Sequence, residues 1–175
     1  MDFLAARGTF SSAFRAPSVS ELFSGNADSF PEVSDPCDTS EGQTANAAAN
    51  CAADGVPTTF TDPSDQIRTN VGGNPELEPE TAKIITAGLV LEQTLFEGLS
   101  AAVDYWNIDI ENGIEPVGAG IILTQCFESN PDERQYCELI NRDPNTNVIR
   151  FISDVQNNVA GTKTQGLDFD VRYSK

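Results

Sequence analysis

The sequence predicts an all-β chain. The expected architecture is an antiparallel up-and-down sheet of about four strands, part of a transmembrane β-barrel wall with two long loops. Three observations carry that expectation. Four segments alternate apolar and polar residues with period 2. The connections between them run long, short, long, as in a barrel with tight turns on one side of a membrane and extended loops on the other. The charge is divided in the same way: of a formal net −17, −14 falls in the two long connections.

The first segment is FLAARGTF, residues 3–10. Leu4, Ala6, Gly8 and Phe10 share one face, and Arg7 and Thr9 the other. The second is TAKIITAGLVLEQ, residues 81–93. Ile85, Ala87, Leu89 and Leu91 oppose Thr86, Gly88 and Glu92, although Ile84 and Val90 blur the contrast. The third, LSAAVDYWNIDIENGI at 99–114, begins with Leu99, Ala101, Val103 and Tyr105 on one side. Its phase then flips, and Trp106, Ile108 and Ile110 become the apolar set. Either a bulge near Tyr105 or a strand leaving its apolar surroundings there accounts for the flip. The fourth ends in QGLDFDVRYSK. Leu167, Phe169, Val171 and Tyr173 alternate with Asp168, Asp170 and Arg172, the cleanest pattern in the chain.

Between the first two segments, residues 11–80 hold 12 acids and 2 bases. Between the second and third lies only the turn LFEG, residues 95–98. Residues 111–150, which include the last long connection, hold 7 acids and 3 bases. Loops of this length are uncommon in compact domains. Within the first, TANAAANCAADG (44–55) has the alanine content for a helical turn.

Composition removes several function classes. With no histidine among 175 residues, Ser-His-Asp and Cys-His catalysis and His-ligated zinc are excluded. The acidity argues against nucleic acid and anionic membrane surfaces, which recruit Lys and Arg. MDFLAARGTF lacks the apolar core of a signal peptide. No run approaches the ~18 apolar residues of a membrane helix, a test blind to β-barrels. Four cysteines form two local sets, Cys37 with Cys51 and Cys126 with Cys137, both among Pro, Asp, Asn and Ser. Of the three possible connectivities, proximity favours two loop-closing disulfides in an oxidising compartment, each worth ~3 kcal/mol. Reduced thiols are the rival. Zinc is disfavoured, because the spacing is not that of a zinc site.

The text AFRAPSVSELF (13–23), followed by GNPELEPET (73–81) and, after a further strand and loop, TKTQGLDFDVRY, resembles the barrel domain of TonB-dependent outer-membrane receptors. The likeness spans nearly the whole chain. It marks Arg15, Pro17, Asn74, Pro75, Pro79, Glu80 and Gly166 as structural motif residues. The prolines belong at strand ends, because proline cannot donate to a ladder and holds its predecessor extended. Glu80 and Thr81 then open the second strand. Arg15 would anchor the rim on carboxylates or carbonyls, and Gly166 is a kink or tight-packing position. The resemblance implies that 1–175 is part of a barrel of about 22 strands, with the plug domain and remaining strands absent. It implies a Gram-negative outer membrane, extracellular long loops, and aromatic girdle candidates Tyr105, Trp106, Phe96 and Tyr173. The implied partners are the TonB energy-coupling complex (through the plug), an extracellular nutrient ligand and membrane lipid. No cofactor is implied.

Carboxylate pairs such as Asp104 with Asp109, or Asp168 with Asp170, have the spacing of a glycosidase pair, but acids lining a barrel give the same pattern. No enzyme is expected. DPSD (62–65) and NRDPNTN (141–147) offer oxygens for Ca²⁺ without the ligand pattern of a calcium loop. The functional expectation is active uptake of a bulky nutrient: siderophore, cobalamin, carbohydrate or peptide. Acidic loops do not favour direct capture of an anionic ferric chelate, which inclines the reading toward neutral oligosaccharides or peptides. The alternative is a secreted, disulfide-stapled β-sandwich used in binding or adhesion. That alternative requires the face carrying Leu167, Phe169, Val171 and Tyr173 to be buried against a second sheet.

Overall fold

The computed structural model describes residues 4–40, 42–91 and 97–174. In chain order the elements are β1 (Leu4–Arg15), α1 (Val19–Phe23), β2 (Ala27–Ser29), α2 (Ala45–Ala53), β3 (Thr69–Val71), β4 (Glu80–Leu91), β5 (Leu99–Glu115), α3 (Ala119–Phe127), β6 (Ile140–Arg142), β7 (Ile149–Ser153) and β8 (Asn157–Tyr173). They fall into two compact units.

The first unit holds residues 1–17, 78–114 and 158–175. It is an open sheet in the order β1-β4-β5-β8. β1 runs antiparallel to β4 from Leu4↔Leu91 to Arg15↔Glu80 without interruption. β4 runs antiparallel to β5 from Thr81↔Glu111 to Leu91↔Ala101. The four strands are the four alternating segments of the sequence, but longer. β1 continues through Ser11, Ser12, Ala13 and Phe14, which read as the start of a loop. β5 continues to Glu115, and β8 begins at Asn157. The β4–β5 register passes Tyr105 unbroken, so no bulge explains the phase flip in the third segment. The strand keeps its geometry while the surroundings suited to each face change. Of the turn expected at 95–98, only Glu97 and Gly98 lie among the described residues, and the girdle candidate Phe96 lies outside them.

The second unit holds residues 18–77 and 115–157. These stretches, expected as loops, fold together. A small sheet runs β2-β3-β7-β6, with β3 and β7 parallel. Residues distant in sequence thus meet edge to edge. α1 has a complete capping box: Ser18 Oγ accepts from Glu21 N, and Glu21 Oε2 accepts from Ser18 N. α2 is the alanine-rich stretch, N-capped by Thr44. α3, AGIILTQCF, is apolar on most of its surface and buries Ile122, Leu123, Cys126 and Phe127. These pack with Cys37, Cys51, Phe60 and Ile152 in a core that contains both cysteine pairs.

Candidate functional site

The first unit is one sheet thick, so its function must be read from its two faces. One face carries Leu4, Ala6, Phe10, Ile85, Ala87, Leu89, Leu91 and Val103, placed together by the register. Hydrogen bonds from Tyr105 OH to Gln165 Oε1 (2.9 Å) and from Lys163 Nζ to Asp109 Oδ2 (3.3 Å) put the odd-numbered residues of β8 on this face. Leu167, Phe169, Val171 and Tyr173 therefore join it by alternation. They are open: Phe169 is 73% exposed and Tyr173 68%. The sandwich alternative needed this face buried, and it is not.

The opposite face is mixed: ion pairs and hydroxyls stand among Val90, Ile84, Ile108 and Ile110, which the register puts on the same side. Arg7 Nε donates to Asp104 Oδ1 at 2.7 Å, and its Nη2 donates to Oδ2. The pair reaches across β4 because the intervening residue is Gly88. A Cβ there would stand 2.0 Å from Asp104 Oδ1. Thr9 and Thr86 share a hydroxyl hydrogen bond of 2.6 Å, and Arg172 Nη2 donates to Asp170 Oδ2 at 2.8 Å. Trp106 lies on this polar face, not on Tyr105's, because consecutive strand residues point oppositely. Tyr105 and Trp106 therefore cannot belong to one outward girdle. The indole packs on Gly166, where a Cβ would come within 2.7 Å of Cζ2.

Arg15, Pro17, Pro79 and Glu80 gather at the end of the sheet. Arg15 Nε donates to Glu80 Oε2 at 2.6 Å, while Glu80 Oε1 accepts from Ile114 N at 2.9 Å. One carboxylate thus joins β1, β4 and β5. A second clasp, invisible in the sequence, is Asn158. Its Oδ1 accepts from Glu78 N (2.8 Å), and its Nδ2 donates to Glu78 O (2.9 Å) and Asn112 O (2.8 Å). An asparagine inside NNVAG gives no sign of this. Pro17 lies just beyond β1, and Pro79 immediately precedes β4. In the second unit, Asn74 N donates to Glu21 O at 2.8 Å, Asn74 Oδ1 accepts from Glu76 N, and Asn74 Nδ2 donates to Gln156 O. Pro75 is the next residue of that turn.

Both expected disulfides form, Cys37–Cys51 and Cys126–Cys137, with Cα separations of 5.6 and 5.0 Å. Arg142 ties the two stretches of this unit together. It forks onto Asp35 at 2.6 and 2.9 Å, donates to Asn147 O, and stacks over Phe60 and Phe127. Arg134 pairs with Asp54, which raises its pKa, and Asn50 Nδ2 donates to Phe127 O and Ser129 O.

Two of the acids offered for Ca²⁺ already hold internal hydrogen bonds. Asp143 accepts from Asn145 N, Thr146 N and Arg150, and those bonds lower its pKa to about 2. Its lone pairs are committed. Burial raises the pKa of Asp62, whose Oδ1 already holds Ser64 N. Asp62 lines a cleft of ≈ 310 Å³ with Asp35, Asp38, Asp65 and Glu128. Among the described residues, no group of three or more acids or cysteines is placed to hold a metal ion.

The chain is similar to solved structures. The siderophore receptor PirA from Acinetobacter baumannii superposes with a TM-score of 0.50 at 14% identity, over 98% of this chain and 19% of that one. A double mutant of the Serratia marcescens hemophore receptor HasR, solved in complex with its hemophore HasA and heme, gives 0.47 at 16% identity, over 100% and 18%. The chain thus spans about a fifth of the receptors it matches. No curated protein matches it in sequence. The profile described as TonB dependent receptor-like, beta-barrel matches residues 1–174, and the chain belongs to that family.

Proposed function

We propose that residues 1–175 are part of the barrel wall and outer loops of a receptor in the outer membrane of a Gram-negative bacterium. This receptor takes up a bulky nutrient with energy delivered through TonB. The observation that carries the reading is the two-faced sheet: an uncovered apolar face on β1, β4, β5 and β8, backed by a mixed face that carries ion pairs and hydroxyls. A water-soluble protein has no use for the first face, and a lipid-facing wall requires it. The plug domain and remaining strands belong to the rest of the receptor, and TonB would act through that plug.

The second unit lies on the extracellular side in this reading. Its two disulfides suit an oxidising exterior. Its acidity weighs against an anionic chelate as the directly captured ligand and favours a neutral oligosaccharide or peptide. PirA is described as a siderophore receptor, and a ferric siderophore is therefore the competing class to test. Nucleic acid is not a partner in this proposal, and no catalytic step is assigned.

The test begins with the coding DNA on both sides of this frame. An in-frame plug upstream and alternating strands downstream should be found. The complete protein should then fractionate with outer membranes and change its gel mobility on heating. Uptake of labelled oligosaccharides, peptides and ferric siderophores is compared with and without TonB. Stop codons flanking the frame, or a protein absent from the membrane fraction, would sink the proposal.

A further inference from the structure

The two disulfides of the second unit are not equivalent. Cys37 and Cys51 are 0% and 3% exposed, so the bridge between them is sealed in the core. Cys126 is as deeply buried, at 1%. Cys137 is only partly buried, on a turn where Gln135 and Glu138 are exposed. Of the four cysteines it alone is open to a reagent from solvent, and it belongs to the Cys126–Cys137 bridge.

The two ends of that bridge also differ electrostatically. Arg134 Nε donates to Cys126 O at 2.8 Å, and its Nη2 donates to Cys126 Sγ at 3.5 Å. Asp54 accepts from Nη1 at 3.0 Å and also from Nη2, which fixes the guanidinium from behind. Nη2 carries two N–H groups, enough for the carboxylate and the sulfur together. The pair with Asp54 offsets the charge of Arg134 but leaves that N–H directed at the sulfur. Cys126 Sγ therefore has a hydrogen-bond donor in place, independent of net charge. Cys137 Sγ instead lies 3.8 Å from Cys126 O, a carbonyl oxygen that opposes negative charge. In thiol–disulfide exchange, the sulfur whose thiolate is better stabilised leaves faster. Here that sulfur is Cys126, and the sulfur that a reagent reaches is Cys137. The backbone adds a further bias. Tyr136, directly before Cys137, has φ 64°, a left-handed conformation uncommon for a bulky side chain. Opening the bridge frees Tyr136 to leave it.

We propose that Cys137 is a thiolation site, at which a low-molecular-weight thiol attacks Sγ and expels Cys126 as the thiolate. The attacking thiolate forms a new S–S bond to Cys137 as the Cys126–Cys137 bond breaks. The electron pair of the broken bond stays on Cys126 Sγ, beside Arg134 Nη2. One disulfide is exchanged for another, so no separate oxidant or reductant is consumed. Cys37–Cys51 stays closed and keeps the core assembled. The second unit thus carries one structural bridge and one exchangeable bridge.

The test incubates the full-length receptor, folded in mild detergent and without oxygen, with millimolar reduced glutathione. Samples are quenched in acid at intervals, and the cysteines are mapped by mass spectrometry. Glutathione is expected on Cys137 with Cys126 free, while Cys37–Cys51 stays intact over the same period. Arg134→Met should slow opening of Cys126–Cys137 by about five-fold or more, because the leaving thiolate loses its donor. A merely structural arginine predicts the opposite: losing its bonds to Asp54 and Cys126 O would loosen the turn and speed the attack. Adducts on Cys126, opening of both bridges at one rate, or a bridge that stays closed in wild type would each overturn the proposal. So would an Arg134→Met variant that opens as fast as wild type or faster. Should that variant not fold, the position of the adduct in wild type decides by itself.

Discussion

Gly88 shows how much one missing side chain can organise. It stands between Arg7 and Asp104 in the register, and its bare backbone lets their side chains meet over β4. Gly88→Val would improve strand propensity and still be expected to destabilise. Its Cβ would occupy the place of Asp104 Oδ1. Overpacking of this kind costs ~1–3 kcal/mol. Thermal unfolding of the full receptor should show it, and adding Asp104→Ala to Gly88→Val should cost little more, since the pair is already broken. A variant as stable as wild type would show that Asp104 simply moves aside. Asp143 makes a different prediction, in the second unit. Its pKa is lowered from 3.8 to about 2 by Asn145 N first, then by Arg150 and Thr146 N. A depressed carboxyl pKa stabilises the fold above the unfolded value, and that stability is lost as pH falls from about 4 through about 2. Protection of the amides in residues 143–150, corrected for the intrinsic pH dependence of exchange, should therefore fall over that range in wild type. Asp143→Asn should flatten the dependence, and an unchanged profile would refute the assignment.

Elements differ sharply in how far the sequence announces them. The long strands are legible because alternation over a dozen residues has no rival explanation, and β8 is legible to its last residues. Their ends were not, because the alternation of apolar and polar residues fades in Ser11 to Phe14 and in Asn112 to Glu115. The strands β2, β3 and β6 have three residues each, too few for any period, and β3 finds β7 only through a contact between distant stretches. α2 was legible from its alanines and the disulfides from proximity. The Arg142–Asp35 fork was not, since nothing local connects residues 107 apart. That fork joins the two halves of the second unit with Asp35 fully buried and Arg142 14% exposed at the side chain. Arg142→Met keeps the stem over Phe60 and Phe127 but strands a buried carboxylate, at a cost of ~3–5 kcal/mol. Arg142→Met/Asp35→Leu should recover much of that loss. Melting of the second unit in the intact receptor, followed by amide exchange, distinguishes this outcome from a double variant no better than the single.

At the scale of the whole molecule, the decisive question is which medium each face of the wall meets. Asp168 and Phe169 are neighbours in β8 and point to opposite faces. Both sit within the zone where the apolar face is unbroken, and both side chains are exposed when the sheet is taken by itself. Their environments diverge only in the membrane. Phe169→Arg places a guanidinium among acyl chains, at ~2–4 kcal/mol near the bilayer midplane. Asp168→Arg places the same group on the face that already carries Arg7, Arg172 and their partners. The amount of heat-modifiable receptor in the outer membrane should therefore drop several-fold for Phe169→Arg and stay close to wild type for Asp168→Arg. Two tolerated substitutions would mean that the apolar face meets water or protein, and the wall reading would fall with it. Two equally harmful ones would point to the strand and not to its faces. Only an asymmetric outcome ties the alternation of QGLDFDVRY to lipid on one side of the wall and a polar interior on the other.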